Sequence, residues 1–424
     1  MAQSLAEWRC AGVAGWAGPE FWLQWAAQEF ATASISDVAG RFTYNPSVSS
    51  ALVPRATSRD QPNTPTMTLI HYLESSPVQA VGALARLLTS PVVTGAALLA
   101  FTQSPPDVQA EVVRRLAFLG EHAAKPETIE LALKVVFGWG LVKSANAALN
   151  AAAANGWRFT AAAGWDWPSE VAVVTGGCSG IGRNVVEQLT ARGVRCAILD
   201  VQPLPKALEG HRHVRYYRCD VTDPASVTEA ADAVRAELGH PSILVNNAGI
   251  TVPKSILEIP PATLNKVFAV NTISHWYLVQ AFVPHMVEVN KGHVVTVASM
   301  ASFVALAKGA DYSATKAAAL AFHESLNSEL RNTHGTTGVL TTVVHPNFVA
   351  TPLVAKFSHE LEKGGIRLLT SDDVARQLTD QVFARRGAQI VCPPRLQFIT
   401  GFRSLPAWIQ FPVRNMIANS SKNI

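Results

Sequence analysis

The stretch VAVVTGGCSGIG, residues 171–182, decides how this chain folds. It begins as a short apolar run, typical of a buried strand, and ends in a glycine turn that opens a helix with Val185, Val186 and Leu189 on one face. Glycines let a backbone approach phosphate oxygens, and the free N–H groups at a helix start favour anions. The sequence therefore predicts a strand, a phosphate-binding turn and a helix in succession.

Predicted strands and helices alternate after this turn. Further strands are predicted at 194–200, 214–219, 243–246, 293–298, 339–345 and 388–392, and the helices after the first at 224–238, 261–287, 311–333 and 371–385. Strands separated by helices indicate a parallel sheet with helices on both faces. The predicted fold class is therefore α/β, a doubly wound parallel sheet of the Rossmann type over 169–395, preceded by a mostly helical, apolar N-terminal segment.

Polar residues follow two of the predicted strands. Asp200 ends the second strand, where a carboxylate can accept from both ribose hydroxyls of an adenosine and would repel a 2′-phosphate. This favours NAD over NADP, which stays open as the alternative; a capped turn is the other explanation for Asp200. The turn Asn246-Asn247-Ala248-Gly249 ends the fourth strand, at the edge where open α/β sheets bind ligands.

Tyr312 and Lys316 lie four residues apart on a predicted helix, so they share a face. Reduction of a carbonyl needs a proton moved at its oxygen, and a nearby ammonium is expected to lower the pKa of a phenol. Ser299 follows a predicted strand and is expected to donate to the substrate oxygen, with Ser302 as the competing candidate. His275 and His293 are expected to have surface or packing roles, and no cluster has metal-ligand spacing.

The glycine turn, Ser299 and the pentapeptide YSATK at 312–316 together resemble the short-chain dehydrogenase/reductase family over about 169–395. The resemblance implies an NAD(P)-dependent oxidoreductase in which Asn271 orders a proton relay, Lys316 also holds ribose and Asp220 faces the adenine. The catalytic residues it implies are Asn271, Ser299, Tyr312 and Lys316. The cofactor-binding residues are Gly176, Ser179, Gly180, Ile181, Gly182, Asp200, Asp220, Val221, Asn247, Ala248, Gly249, Tyr312, Lys316, Val349 and Thr351.

The sequence PNFVAT at 346–351 departs from the family's usual Pro-Gly, because Asn347 replaces the glycine. Asn tolerates left-handed backbone better than most residues, so the turn can survive. This variant resembles the branch that acts on retinoids, hydroxysteroids and other lipophilic alcohols, several of them on lipid droplets or the endoplasmic reticulum. The resemblance implies a lipophilic substrate, a homodimer and an active site that faces the cytoplasm from such a membrane.

Two other functions are compatible with the same residues. One is an NADP-dependent ketoreductase of lipid or secondary metabolism, which a strong NADPH preference would reveal. The other is a membrane or lipid-droplet interaction protein without catalysis, against which the complete set Asn271, Ser299, Tyr312 and Lys316 argues.

Composition agrees with a membrane-facing surface. Hydrophobic residues make up 48% of the 424 residues and charged ones only 16%, which is apolar for a soluble enzyme. The net charge of +4 gives no electrostatic case for a nucleic-acid partner. The five cysteines are scattered without C-x-x-C spacing, which argues against metal binding and favours a reducing compartment.

The segments outside the predicted sheet divide into three. Residues 1–66, rich in Ser, Pro and Thr towards their end, predict a disordered arm or an artefact of the gene model with the natural start at Met67. Residues 67–168 predict helices with apolar runs at 78–102 and 131–142, which favour insertion into one leaflet or a hairpin over a full span; soluble helices with buried faces are the alternative. The tail, 396–424, predicts an amphipathic segment at a membrane interface or over the substrate pocket.

Overall fold

The computed structural model describes residues 76–420, apart from 117, 119–124 and 364–365. The arm predicted over residues 1–66 lies outside the described residues. Within the described residues, four α-helices precede the sheet: α1 (Ser76–Leu88), α2 (Pro91–Gln103), α3 (Pro106–Leu116) and α4 (Pro126–Ala154). Proline stands at the first positions of α2 and α4, where its missing N–H removes no helical hydrogen bond.

The predicted parallel sheet is confirmed. Its seven strands are β1 (Val171–Thr175), β2 (Arg195–Asp200), β3 (Val214–Arg218), β4 (Ile243–Asn246), β5 (Gly292–Val297), β6 (Val339–Pro346) and β9 (Ala388–Cys392). They lie in the order β3-β2-β1-β4-β5-β6-β9, with every neighbouring pair parallel. The order reverses direction between β1 and β4, and that switch point opens a crevice at the carboxyl ends of the strands. A two-stranded sheet, β7 (Val349–Ala350) with β8 (Leu369–Thr370), lies apart.

Helices cover both faces of the seven-stranded sheet. The α-helices described between β1 and β9 are α5 (Gly180–Ala191), α6 (Pro224–Leu238), α7 (Pro261–Phe268), α8 (Ser274–Glu288), α9 (Ala310–Asn332), α10 (Ser358–Lys363) and α11 (Ser371–Ala384). One apolar core joins the sheet to α5 and α11, and another joins it to α6, α8 and α9. Leu189 on α5 and Leu378 on α11 are fully buried, which stabilises the fold by about 1.5–3 kcal/mol for each side chain.

The sequence predicted one long helix over 261–287, and the chain is helical without a break from Pro261 to Glu288. A wider π-helical turn, Ala269–Ile273, separates α7 from α8. Asn271 occupies that turn, where its side chain accepts from Ile250 N (2.8 Å) and donates to Ile250 O (2.9 Å) and Thr315 Oγ1 (3.1 Å). Because these bonds tie the helix to two other segments, the regular spacing of α-helical hydrogen bonds is interrupted there.

The helices before the sheet expose apolar side chains in several directions. Thr94 and Phe101 are the buried residues of α2, and Gly140 and Ala152 those of α4. The two helices approach closely where Gly95 faces Phe137 and Gly140 faces the carbonyl of Thr89. Among the described residues, no helix alone has the length and apolarity to cross a bilayer, whereas Val81–Leu88 and Pro91–Gln103, bent by 59°, meet those requirements as a pair.

The tail returns to the sheet. Pro394–Ser404 forms successive 3-10 turns, and α12 (Ala407–Ser420) follows. Leu396 and Phe402 are buried in a third apolar cluster with Phe303, next to Val413 of α12. Since Phe303 belongs to the segment after β5, the tail packs against the carboxyl edge of the sheet.

Candidate active site

A cavity of about 770 Å³ lies at the carboxyl edge of the sheet. The glycine turn, the ends of β2, β3 and β4, the segment after β5 and the start of α9 line one part of it. The loop after β6 and the tail line the rest. All but two of the residues predicted for the site line this cavity, and the exceptions are Gly182 and Asn271.

The glycine turn has the backbone that a phosphate cradle needs. Gly176 and Gly180 have φ of +65° and +54°, in the left-handed region that favours glycine. Ser179, which precedes α5, makes no capping hydrogen bond to the helix, so its first N–H groups have no partner from that side chain. Gly182 lies behind the turn, where an added Cβ would collide with Gly176 O and Asn247 Nδ2. These features fit the pyrophosphate of a dinucleotide.

Thr175 holds two parts of the site together, and the sequence analysis gave it no role. Its hydroxyl accepts from the backbone N–H groups of Asn247 and Ala248, at 3.0 Å each. Asn247 in turn donates through Nδ2 to Thr175 O at 2.9 Å and Gly176 O at 3.3 Å. The role of Thr175 could have been inferred from its position, because a hydroxyl at the end of a buried apolar strand needs a hydrogen-bond partner.

Asp200 is buried at the end of β2 with its carboxylate facing the glycine turn. Oδ2 accepts from Cys178 N, and Oδ1 accepts from Gln202 N, both at 3.0 Å. Arg183, which could have neutralised a 2′-phosphate, is paired instead with Glu187 at 2.8 Å. The carboxylate therefore fixes the turn while it lines the cavity.

Asp220 and Val221 lie after β3. Asp220 Oδ1 accepts from Thr222 N at 2.9 Å and from the Thr222 hydroxyl at 2.7 Å, and these bonds lower the pKa of the carboxyl. Val349 and Thr351 line the cavity after β6, and Thr351 Cγ2 lies against Gly180.

Tyr312, Lys316 and Ser299 converge on the same part of the cavity. Lys316 Nζ donates to Val297 O at 2.8 Å and lies 5.7 Å from the centroid of the Tyr312 ring. Ser299 Oγ accepts from Ala301 N at 3.1 Å and has Pro346 O at 3.4 Å. A phenol, a hydroxyl and an ammonium in one place can move a proton at an oxygen and stabilise the charge that forms.

Burial dominates the ionisation of these groups. It raises the pKa of Tyr312, while the hydrogen bond from Ser299 lowers it. Burial lowers the pKa of Lys316 to about 8. The expectation that Lys316 would lower the phenol pKa is not met. Desolvation of the phenolate raises that pKa, and the opposing, smaller effect comes from the Ser299 hydrogen bond.

Asn271 and Ser302 are both buried beside α9. Asn271 links Ile250, next to the Asn247 turn, to Thr315 on α9. Ser302 donates to Lys316 O at 2.8 Å, so its hydroxyl is committed to the helix backbone. Ser299, and not Ser302, therefore presents a hydroxyl to the cavity.

The histidines near the site are packed in the core. His275 and His293 are fully buried, and burial lowers the pKa of each to about 3. His293 Nε2 is bonded to the Thr342 hydroxyl at 2.8 Å. Within the part of the chain that the structure describes, no group of three or more His, Cys, Asp or Glu could hold a metal ion.

The apolar part of the cavity was only partly foreseen. The sequence predicts the tail either at a membrane interface or over the substrate pocket. Its apolar side chains form a wall of the cavity: Leu396, Phe398, Ile399, Phe402, Leu405, Ile409, Val413, Met416 and Ile417. The segment after β6 adds Phe348, Leu353, Val354, Phe357, Leu361 and Ile366.

Comparison with known proteins agrees with this geometry. Residues 170–362 match the short chain dehydrogenase family. The chain is 37% identical to dehydrogenase RED2 of Cochliobolus heterostrophus over 187 residues, 44% of this chain and 71% of the relative. It is 36% identical to human retinol dehydrogenase 10 over 193 residues, 44% of this chain and 54% of the relative.

A solved structure has the same fold. The short chain dehydrogenase/reductase of Burkholderia phymatum, in complex with NAD, superposes with a TM-score of 0.51 at 26% identity, covering 57% of this chain and 95% of its own. The fold, the cavity and these relatives together assign the protein: it belongs to the short-chain dehydrogenase/reductase family and is an NAD(P)-dependent oxidoreductase.

Proposed function

We propose that the protein transfers hydride between NAD and a lipophilic secondary or allylic alcohol, or the corresponding carbonyl. The observation that carries the proposal is the composition of one cavity, in which Tyr312 and Ser299 lie between a polar glycine turn and an apolar wall. When bound, the nicotinamide supplies the hydride acceptor or donor. The protein supplies the proton transfer, the orientation of the substrate and the exclusion of water.

The proposed catalytic roles follow from chemistry and position. Tyr312 exchanges the proton at the substrate oxygen, and Ser299 donates to the same oxygen as charge develops. Lys316, whose ammonium donates to Val297 O, holds the nicotinamide ribose. Asn271 keeps the turn after β4 and the start of α9 at a fixed separation, which supports the relay of the proton.

NAD is the proposed cofactor rather than NADP. The Asp200 carboxylate lines the cavity and is buried, so a phosphate beside it would meet an unscreened negative charge. Arg183, the cation next to the turn, is paired with Glu187. A ribose with two free hydroxyls suits this environment, because it can donate to the carboxylate.

The proposed substrate class follows from the tail. Apolar side chains outnumber polar ones in the part of the cavity beyond Tyr312, and burial of an apolar ligand surface contributes about 25 cal/mol per Å². Human retinol dehydrogenase 10 is a relative whose name specifies an apolar allylic alcohol. We therefore place retinoid-, steroid- and long-chain-type alcohols ahead of small polar ones.

We propose that the protein works at a membrane, on the endoplasmic reticulum or a lipid droplet with the site facing the cytoplasm. Exposed apolar side chains support this: Val92 is 78% exposed on α2, and Val135 is 62% exposed on α4. Trp408 and Phe411 are exposed on α12, the helix whose other side lines the cavity. Contiguous exposed apolar surface is costly in water and indicates a lipid or protein contact. The predicted homodimer stays a prediction.

Turnover by the purified protein tests the function. A panel of retinoid, steroid and long-chain alcohols is assayed with NAD and with NADP, and we expect turnover with NAD and a lipophilic alcohol. Turnover only with NADPH and polar ketones would contradict the proposal. Binding of NADH without turnover of any substrate would support the interaction protein instead.

Fractionation of full-length protein tests the membrane proposal. We expect it in the membrane fraction, and expect Leu99→Glu with Val135→Glu to shift it towards the soluble fraction. The matched control is Leu257→Glu, at a side chain that is 96% exposed outside the apolar helices and the tail. Equal shifts for both variants, or soluble wild-type protein at low salt without detergent, would refute membrane contact.

A further inference from the structure

Beneath Ser299 lies a buried histidine that the reaction itself does not use. His345 is fully buried near the end of β6, and its Nδ1 lies 3.2 Å from the backbone carbonyl of Ser299. On its other side, Nε2 lies 3.2 Å from Nε2 of Gln389 on β9. The imidazole therefore links the neighbouring edge strand to the serine that faces the substrate oxygen.

The partners of His345 determine its tautomer. A carbonyl oxygen only accepts, so Nδ1 must carry the hydrogen that is donated to Ser299 O. Nε2 is then an acceptor, and the Gln389 amide is its donor. Both ring nitrogens are thus satisfied by a neutral imidazole, and the low pKa of about 4 that burial gives His345 agrees with that form.

The Ser299 hydroxyl is hydrogen-bonded to Tyr312, and its other two contacts are long or local. Its distance to Pro346 O is 3.4 Å, the long end of a hydrogen bond, and its shorter contact is with Ala301 N in its own turn. The Ser299 carbonyl, by contrast, accepts from both Ser302 N at 3.0 Å and His345. Since that peptide plane contains the Ser299 Cα, holding it restricts the backbone from which the hydroxyl side chain extends.

We propose that His345, held by Gln389, is a positioning residue that orients Ser299 for the hydrogen bond to the substrate oxygen. The inference rests on the proposed function, because it presumes that Ser299 acts on that oxygen. His345 also packs against Phe303, with ring centroids 4.7 Å apart, so a role in packing must be separated from the hydrogen bond.

Three substitutions separate packing from hydrogen bonding. His345→Phe keeps an aromatic ring against Phe303 but cannot donate to Ser299 O. His345→Asn loses the ring but retains an N–H donor close to the place of Nδ1. In His345→Gln the side-chain amide lies one methylene further from the backbone, so its N–H does not reach Ser299 O. The controls are the same substitutions at His293, also fully buried in the sheet but bonded to Thr342.

The expected order of kcat among the three variants is the opposite of the order that packing alone would give. His345→Phe and His345→Gln lower kcat by about tenfold to a hundredfold, the range expected when a reacting group is misplaced. His345→Asn keeps more activity than either, although it leaves the larger cavity. NADH affinity, measured by fluorescence, and the thermal midpoint are followed in every variant. If kcat tracks the thermal midpoint, or if the His293 series loses as much, the positioning role is wrong.

A double-mutant cycle gives the sharpest readout. Once Ser299→Ala has removed the hydroxyl, there is nothing left to orient, so adding His345→Phe should cost almost no further kcat. A purely structural histidine would lower kcat by the same factor in both backgrounds, and that result would overturn the inference.

Two further variants keep the outcomes distinct. If His345→Phe does not fold, Gln389→Leu, at an exposed position of the edge strand β9, removes the donor to Nε2. Its loss of kcat must also vanish in the Ser299→Ala background. Tyr312→Phe tests the proposed function alone. Retained turnover in Tyr312→Phe refutes the function, whereas lost turnover there with unchanged His345 variants refutes only the positioning role.

Discussion

The two ends of the cavity are built by different interactions. At the cofactor end, backbone groups are fixed by hydrogen bonds to Thr175, Asp200 and Asn247. At the substrate end, the tail and the segment after β6 meet through apolar side chains such as Phe402 and Val354. Hydrogen bonds require particular residues at particular places, whereas apolar packing accepts many combinations of similar volume. The difference explains why a short motif identifies the cofactor while the substrate has no comparable signature.

Tyr312 lies where the two ends meet, and its replacement should have the largest effect. Tyr312→Phe removes the hydroxyl that we propose exchanges the proton, so kcat is expected to fall by about 10²–10⁴-fold while NADH affinity stays close to that of the wild type. Steady-state kinetics and NADH fluorescence measure the two quantities. Tyr277→Phe, on α8, is the control. Loss of NADH affinity in Tyr312→Phe would show that the phenol belongs to the cofactor end.

Gly182→Ala tests the hydrogen-bonded end. An added Cβ would overlap Gly176 O and Asn247 Nδ2, so the turn must move. Overpacking of this kind costs about 1–3 kcal/mol, and the same displacement should weaken NADH binding by about tenfold to a hundredfold. Thermal unfolding and NADH titration check the prediction. Gly138→Ala, on α4, adds a Cβ with nothing within 4 Å and is the helical control. Wild-type NADH affinity in Gly182→Ala would mean that the turn is not a rigid cradle.

Asp200→Ser tests which cofactor that end accepts. Removal of the carboxylate relieves its repulsion of a 2′-phosphate, so kcat/KM for NADP relative to NAD should rise about tenfold or more. Some stability should be lost as well, because Cys178 N and Gln202 N lose their acceptor. Parallel assays with both cofactors measure the ratio. An unchanged ratio would mean that a residue other than Asp200 determines the cofactor preference.

The sequence predicted the hydrogen-bonded end better than the apolar end for a physical reason. Asp200, Asn247 and the glycines follow strands directly, so their positions depend on local chain geometry. The motif does not distinguish residues that line the cavity from residues that support it. Gly182 and Asn271 belong to the predicted site, but neither lines the cavity. Burial of Tyr312 depends on packing from distant segments, and for this reason the direction of its pKa shift could not be read from the spacing to Lys316.

The tail shows what local patterns cannot reveal. Alternating apolar and basic residues fit both a membrane interface and a pocket cover, and α12 has apolar side chains in both directions. Ile409 lines the cavity, whereas its neighbour Trp408 is 75% exposed. Only the docking of the tail beside Phe303 distinguishes the two faces.

Ile409→Ala and Trp408→Ser separate those two faces. Ile409→Ala removes apolar contact from the cavity and should raise KM for a lipophilic alcohol by about fourfold to fifteenfold, because loss of ligand contact by one or two methylene-sized groups costs about 0.8 kcal/mol each. A short-chain alcohol that does not reach the tail should keep its KM. Trp408→Ser should leave both values unchanged in detergent and reduce binding to lipid vesicles. Equal KM changes in the two variants would mean that the tail does not present separate faces.

The pH dependence of oxidation gives the smallest and most specific effect. In the proposed reaction, alcohol oxidation needs the Tyr312 phenolate as base, so kcat/KM should rise as pH passes upward through the phenol pKa. Burial raises this pKa and the Ser299 hydrogen bond lowers it. In Ser299→Ala the lowering is lost, and the rising limb of the profile should move to higher pH on the remaining activity. Ser302→Ala is the control, since that hydroxyl is bonded to Lys316 O. If the rising limb stays in place in Ser299→Ala, another group determines the pH dependence. Lys316, whose pKa is about 8, would be the first such group to test.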